Sequence, residues 1–292
     1  MQSSALSHPA LQKSPDNEPV TLTCSMFGVR VDVRIDDVSL VDSITKCLPP
    51  GCAHFSSDRV DRTYEFLNTA PGWTAGHDPA GPYWYLLADR SLIWHTDDAG
   101  ALCERFQADL ELFLAARART HVVVHAGVVG WRGRAIVIPG RSFSGKTTLV
   151  EALIREGAEY YSDEYAVIDP CGLVSPFPRP LAIRGQPNAQ RAFAAEELGA
   201  VTGQRPIPVG SIVVTEYQPG AAWQPRQLSA GEAVLALLSN SPAARYQPGF
   251  LLKTFGVAVR GAVALSGPRD DATDLAKRLL VDHGGPYETS GT

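Results

Sequence analysis

The stretch that decides the fold is Gly140–Thr148, GRSFSGKTT, with AIVIP (Ala135–Pro139) before it and LVEALI (Leu149–Ile154) after it. It fits the pattern G-x-x-x-x-G-K-[ST]. In that pattern a glycine-rich turn between a strand and a helix points successive backbone N–H groups at phosphate oxygens, and the helix dipole adds to the attraction. Gly140 and Gly145 permit the turn, and Arg141, Ser142, Phe143 and Ser144 carry its backbone between them. Lys146 is placed to reach the β- and γ-phosphates, the hydroxyl of Thr147 is the expected Mg²⁺ ligand, and Thr148 extends the helix start. The flanks fit as well. AIVIP reads as a buried strand, and TLVEALIREG as a helix ending at Gly157. The expected ligand is therefore a nucleoside polyphosphate, ATP, with Mg²⁺.

The next acidic residues say more about chemistry. From Thr147 to Gly157 a helix carries the chain ~15 Å away from the turn, at 1.5 Å per residue. Residues 158–163, if extended, return ~20 Å. Asp163 and Glu164 should then lie beside the phosphates. A carboxylate pair there can do two jobs, one holding Mg²⁺ and the other taking a proton from an attacking hydroxyl.

Outward from this centre the chain reads as two domains. Residues 1–18 are polar and proline-dotted, a loose tail. Residues 19–118 read as a small α+β domain. VTLTCSMF and VRVDVRI alternate apolar and polar residues as half-buried strands. VDSITKCL is a short helix before Pro49-Pro50-Gly51, TYEFLN, YWYLLAD and SLIWHT are further strands, and residues 98–118 put Leu102, Phe106, Leu110 and Leu114 on one helical stripe. No catalytic motif is visible in this half. Residues 119–292 form the nucleotide domain, where THVVVHAGVVGW, GRAIVIPG and IPVGSIVVTEY read as buried strands and DDATDLAKRLLVDH as a closing amphipathic helix.

Composition narrows the classes. The chain has 292 residues, 45% hydrophobic and 20% charged, an ordinary globular balance. A net charge of -5 leaves no cationic excess for nonspecific nucleic-acid binding. Arg117, Arg119, Arg132 and Arg134 cluster in sequence and read as phosphate or acidic-substrate contacts. No segment reaches the ~18 apolar residues of a membrane helix, and no signal-peptide core is visible. The five cysteines lack a C-x-x-C pair and read as thiols of a reducing cytoplasm.

The order H-A-G, strand, G-x-x-x-x-G-K-T, helix, Y-S-D-E resembles the C-terminal domain of HPr kinase/phosphorylase. The later segment PFPRPLAIRG is similar to that family's L-E-I-R-G stretch, and closer still to the shorter HPr kinase-related proteins encoded beside peptide-modification genes. The likeness covers roughly residues 121–190. It implies an α/β P-loop fold of the HPr kinase and PEP carboxykinase type. It implies that His125 sits near the transferred phosphoryl group, that Lys146 and Thr147 bind nucleotide and Mg²⁺, and that Asp163 is the catalytic base. Glu164 becomes a metal-side carboxylate, and Arg184 approaches the phosphates. Two positions depart from the family: its loop glutamate is Ala182 here, and the second Asp of its A-D-D is Glu164. Both weigh against a reverse, phosphate-driven reaction.

Three functions follow as expectations. The first is an ATP-dependent kinase acting on a hydroxyl, a serine of a ribosomally made peptide or small protein. The second is a small-molecule kinase on the same fold. The third is a nucleotide-binding partner without chemistry, against which a base at Asp163 counts. Association into a homo-oligomer is left open, as in the hexameric relatives.

Overall fold

Two-residue hairpins with both residues at positive φ set the strand pairing at three places: Phe27–Gly28 (54°, 78°), Asp89–Arg90 (48°, 67°) and Arg132–Gly133 (50°, 75°). Such turns match the right-handed twist of the strands they join. The computed structural model describes residues 19–55, 59–68, 83–140, 144–184 and 190–282, without the side chains of 182–184 and 190–192. The proposed tail, residues 1–18, lies outside them. The chain divides into two units at Arg119/Thr120.

The first unit is one sheet in the order β1 (Val20–Met26), β2 (Val29–Ile35), β3 (Arg62–Leu67), β4 (Trp84–Ala88), β5 (Ser91–Thr96). Only the β2–β3 pair is parallel. Alternation puts Leu22, Cys24, Val31, Val33, Tyr64 and Phe66 on the buried face. Helix α1 (Val41–Cys47) contributes Ile44 to the core, and α2 (Ala99–Arg117) contributes the stripe Leu102, Phe106, Leu110, Leu114. Tyr64 and Phe66 both meet the Phe106 ring edge-on, at 5.1 and 5.0 Å.

The cysteines differ from the expectation of five thiols: Cys24 is joined to Cys52. Reciprocal backbone bonds between Ser25 and Ala53 hold the segment after α1 along β1, and this brings the two cysteines together. Cys47, Cys103 and Cys171 are in no disulfide.

The second unit is built on β6 (Val122–Trp131), β7 (Arg134–Pro139), β13 (Ile207–Tyr217) and β15 (Val263–Arg269). Its sheet runs β10 (Leu173–Ser175), β9 (Tyr165–Ile168), β6, β7, β13, β15, β14 (Arg226–Gln227), and β8 (Glu159–Ser162) also pairs with β6. A separate ribbon pairs β11 (Leu181–Arg184) with β12 (Gln190–Phe193). β7, β13 and β15 are parallel, so Pro139, Tyr217 and Arg269 end on one edge. Helices cover both faces, which is why these strands are apolar without alternation. On one face α3 (Lys146–Arg155) and α6 (Ala272–Asp282) lay Leu149, Val150, Leu153, Leu275 and Leu279 against Val129, Ile136, Ile138 and Val213. On the other, α4 (Ala230–Ser239) and α5 (Pro248–Ala258) lay Leu237, Leu251 and Phe255 against Val128, Val137 and Ile212.

One irregularity matters for the site. Val128 pairs with Ser162 but Val129 pairs with Tyr160, so Tyr161 is an extra residue, a β-bulge. The bulge shifts the alternation by one. Tyr160 therefore joins the α3 layer and Tyr161 the α4–α5 layer, and Tyr160 shares a face with Asp163 three residues on.

Candidate active site

The glycine-rich turn leaves β7 at Pro139 and enters α3 through Gly145, whose φ of 83° is the left-handed conformation that glycine adopts without strain. Gly140 serves differently, since a Cβ there would lie 2.7 Å from the hydroxyl of Ser144. That hydroxyl is buried and has no partner among the described residues. Lys146 is the first residue of α3 and is almost fully buried. Burial lowers its pKa, and the charges of Glu164 and Asp163 oppose the shift.

Asp163 sits opposite, in the break between β8 and β9. Ser162 makes that break: its hydroxyl accepts from the backbone N–H of Glu164 (3.2 Å) and of Tyr165 (3.0 Å). The two path lengths estimated from the sequence, out along the helix and back along the strand, close here. Thr147 Oγ1 donates to Asp163 Oδ2 at 3.4 Å, and Tyr160 OH lies 3.3 Å from Oδ1 while bonding the carbonyl of Arg179 at 2.7 Å. Asp163 is 6% exposed, and burial first, then the neighbouring Glu164 charge, push its pKa up to about 6. Glu164 is near enough for its charge to act on both Lys146 and Asp163. Its carboxylate meets His125 Nε2 at 3.1 Å, and its own carbonyl accepts from Ala126 N. His125 is fixed at the main chain by a bond from its N–H to Asn240 O.

The structure thus gathers Gly140, Ser144, Gly145, Lys146, Thr147, Asp163, Glu164 and His125 around one strand edge. Thr148 is on α3 and exposed. Arg141, Ser142 and Phe143 lie outside the described residues. Arg184 ends β11 in register with Gln190, and its side chain is likewise outside them. Three of the four sequence-clustered arginines have placements that differ from phosphate contacts at the turn. Arg119 pairs with Asp61, Arg134 donates to the carbonyls of Val209 and Gly261, and Arg132 occupies the β6–β7 hairpin, at the end of β7 remote from the turn. Two residues escaped the sequence reading: Tyr160, brought to Asp163 by the bulge, and Arg269, whose Nη2 donates to Gly145 O at 2.7 Å.

The residues present fit a nucleotide with a hard cation. A glycine cradle, a buried unpartnered hydroxyl and a buried lysine at a helix start suit phosphate. Thr147 and Asp163 offer oxygen donors only, the choice of Mg²⁺. Among the described residues no group of three His, Cys, Asp or Glu could hold a metal by itself. A cation here would need phosphate oxygens and water to complete its shell, as Mg²⁺ usually does beside nucleotides.

No protein-family model matches the chain, and no curated protein matches it. A solved structure that it resembles is the Hpr(Ser) kinase/phosphatase from Coxiella burnetii, at 16% identity and a TM-score of 0.32, covering 56% of this chain and 95% of that one. No helix among the described residues is long and apolar enough to cross a membrane.

Proposed function

We propose that the chain is an ATP- and Mg²⁺-dependent kinase of the HPr kinase-like P-loop type, which moves the γ-phosphoryl group to a hydroxyl. The acceptor is a serine of a ribosomally made peptide or a small protein. The observation that carries this reading is the meeting of Thr147 and Asp163 at 3.4 Å beside the buried Lys146, in a carboxyl made more basic than usual. A module that only bound nucleotide would have no use for such a base.

In this reading the backbone N–H groups at the start of α3, from Ser144 to Thr147, and the charge of Lys146 hold the β- and γ-phosphates. Mg²⁺, when bound by Thr147 and the phosphates, neutralises charge on the transferred group. Asp163 accepts the proton of the acceptor hydroxyl as its oxygen bonds to phosphorus, and the bond from γ-phosphorus to the β-bridging oxygen breaks, releasing ADP. With a pKa of about 6, Asp163 is mostly ionised at neutral pH yet better matched to proton transfer than an ordinary carboxylate. Tyr160 orients it, and His125 holds Glu164.

A second assignment of roles has its own support. The Thr147 contact also places Asp163 where a cation's carboxylate would stand, and the His125–Glu164 pair could then take the proton. Asp163→Asn separates the two. As base, its loss should cut turnover about 10²–10⁴-fold with ATP affinity little changed. As cation ligand, its loss should instead raise the Mg²⁺ requirement. Incubation of the wild type with labelled ATP and candidate peptides, small proteins and metabolites, read by intact mass, tests the reaction itself. One added phosphate on a peptide or protein supports the acceptor proposed, while one on a metabolite moves the site to small-molecule kinases. Nucleotide binding with transfer to nothing would leave a binding module.

A further inference from the structure

Arg269 lies outside every motif above, yet its guanidinium is in the turn. It closes β15 on the edge where β7 delivers the glycine-rich stretch, in register with Tyr217 at the end of β13. Its side chain is 2% exposed. Nη2 donates to the carbonyl of Gly145 at 2.7 Å and Nη1 to that of Asp270 at 3.4 Å, while Nε is buried with no partner among the described residues. No carboxylate among the described residues forms an ion pair with it, and the Asp271 charge that acts on it belongs to an exposed side chain. A buried cation with so weak a counter-charge is costly, and an anion bound close by offsets that cost.

The contact also sets backbone direction. The carbonyl of Gly145 accepts from both Arg269 and the N–H of Leu149. In a trans peptide the N–H of the next residue points opposite to the carbonyl, so fixing Gly145 O fixes Lys146 N–H toward the cradle. The second glycine of the motif is thus required twice. Its φ is left-handed, and a Cβ there would run into the Arg269 guanidinium.

We propose that Arg269 is a positioning residue of the polyphosphate site. It locks the Gly145 peptide so that the Lys146 N–H faces inward, and its weakly compensated charge favours nucleoside di- and triphosphates over monophosphates. The inference rests on reading Gly140–Thr148 as a nucleotide cradle.

Calorimetric titration of the full chain with AMP, ADP and ATP in the presence of Mg²⁺ tests it. Arg269→Gln should weaken ATP by about 10- to 100-fold, ADP by less and AMP hardly at all, because the loss grows with ligand charge. A purely structural arginine would weaken all three alike, and that result, or no change, overturns the proposal. Arg269→Lys keeps the charge but not the fork. It should retain the wild-type ratio of ATP to AMP affinity while weakening both. If Arg269→Gln does not fold, Arg269→Met is titrated with the same three nucleotides in its place, and equal weakening of all three, or no change, sinks the idea. Lys146→Ala run in parallel separates the two readings. If it binds ATP as well as wild type, the cradle itself is wrong. If it loses ATP while Arg269→Gln keeps the wild-type series, the cradle stands and only the role of Arg269 falls.

Discussion

A carboxyl buried beside a like charge is an expensive residue to fold, and Asp163 carries that cost in the absence of ligand. Its proton is held more tightly in the folded protein, with a pKa of about 6, than in the unfolded chain at its ordinary 3.8. Folding therefore gains stability from that proton at low pH, and the gain is lost as pH rises through 6. Above pH 7 the ionised group should cost roughly 3 kcal/mol. Asp163→Asn is expected to make the ligand-free protein about that much more stable at pH 8 and to flatten the change in stability between pH 5 and 8. Urea unfolding of both proteins without nucleotide or Mg²⁺ checks this, and an equal or less stable variant at pH 8 refutes it. At this scale the sequence is legible where contact is local or countable. Lys146 and Thr147 follow from one nonapeptide, and Asp163 follows from a helix length and a strand length. Tyr160 and Arg269 are not legible, because a bulge and a pairing of distant strands bring them in and neither leaves a periodic trace.

At the scale of elements, α3 approaches β6 closely because of Gly127. A Cβ there would lie 2.6 Å from a methyl of Val150 and 3.8 Å from Cβ of Lys146. Gly127→Ala must push α3 off the sheet, with an overpacking cost of about 1–3 kcal/mol. It should also move Lys146 and weaken ATP binding, although residue 127 touches no ligand in the proposed mechanism. A lowered melting temperature together with a raised Kd for ATP is the expected pair of results. A variant that melts lower but binds normally would show that α3 yields without moving the turn. The strands that carry the site were readable from their unbroken β-branched runs, β13 to the residue. The helices α4 and α5 were not read at all. Their sequences, AGEAVLALLS and PGFLLKTFGVA, mix Gly and Pro into apolar runs, and only tertiary burial of Leu237, Leu251 and Phe255 declares their inner face.

Over the whole molecule, the two units differ in what holds them. The second closes its core with helices on both faces of its sheet, whereas the first adds a covalent tie between Cys24 and Cys52, 28 residues apart. Closing a loop of that length is worth about 3–4 kcal/mol by the chain-entropy estimate. Cys24→Ser should therefore lower the stability of the first unit by about that amount, and so should a reductant acting on the wild type. Unfolding followed by near-ultraviolet signals with and without reductant measures it, and identical curves would rule the tie out. The tie could not be foreseen from cysteine spacing, since it depends on the segment after α1 doubling back along β1. The bond from Arg269 to Gly145 has a different consequence, one of timing. It spans 124 residues, and the ribosome adds roughly 5–20 residues per second. Lys146 and Thr147 thus leave the ribosome roughly 6–25 s before the arginine that steadies their turn. A nascent chain holds the motif early and its clamp late, so the phosphate cradle matures only once β15 has been made.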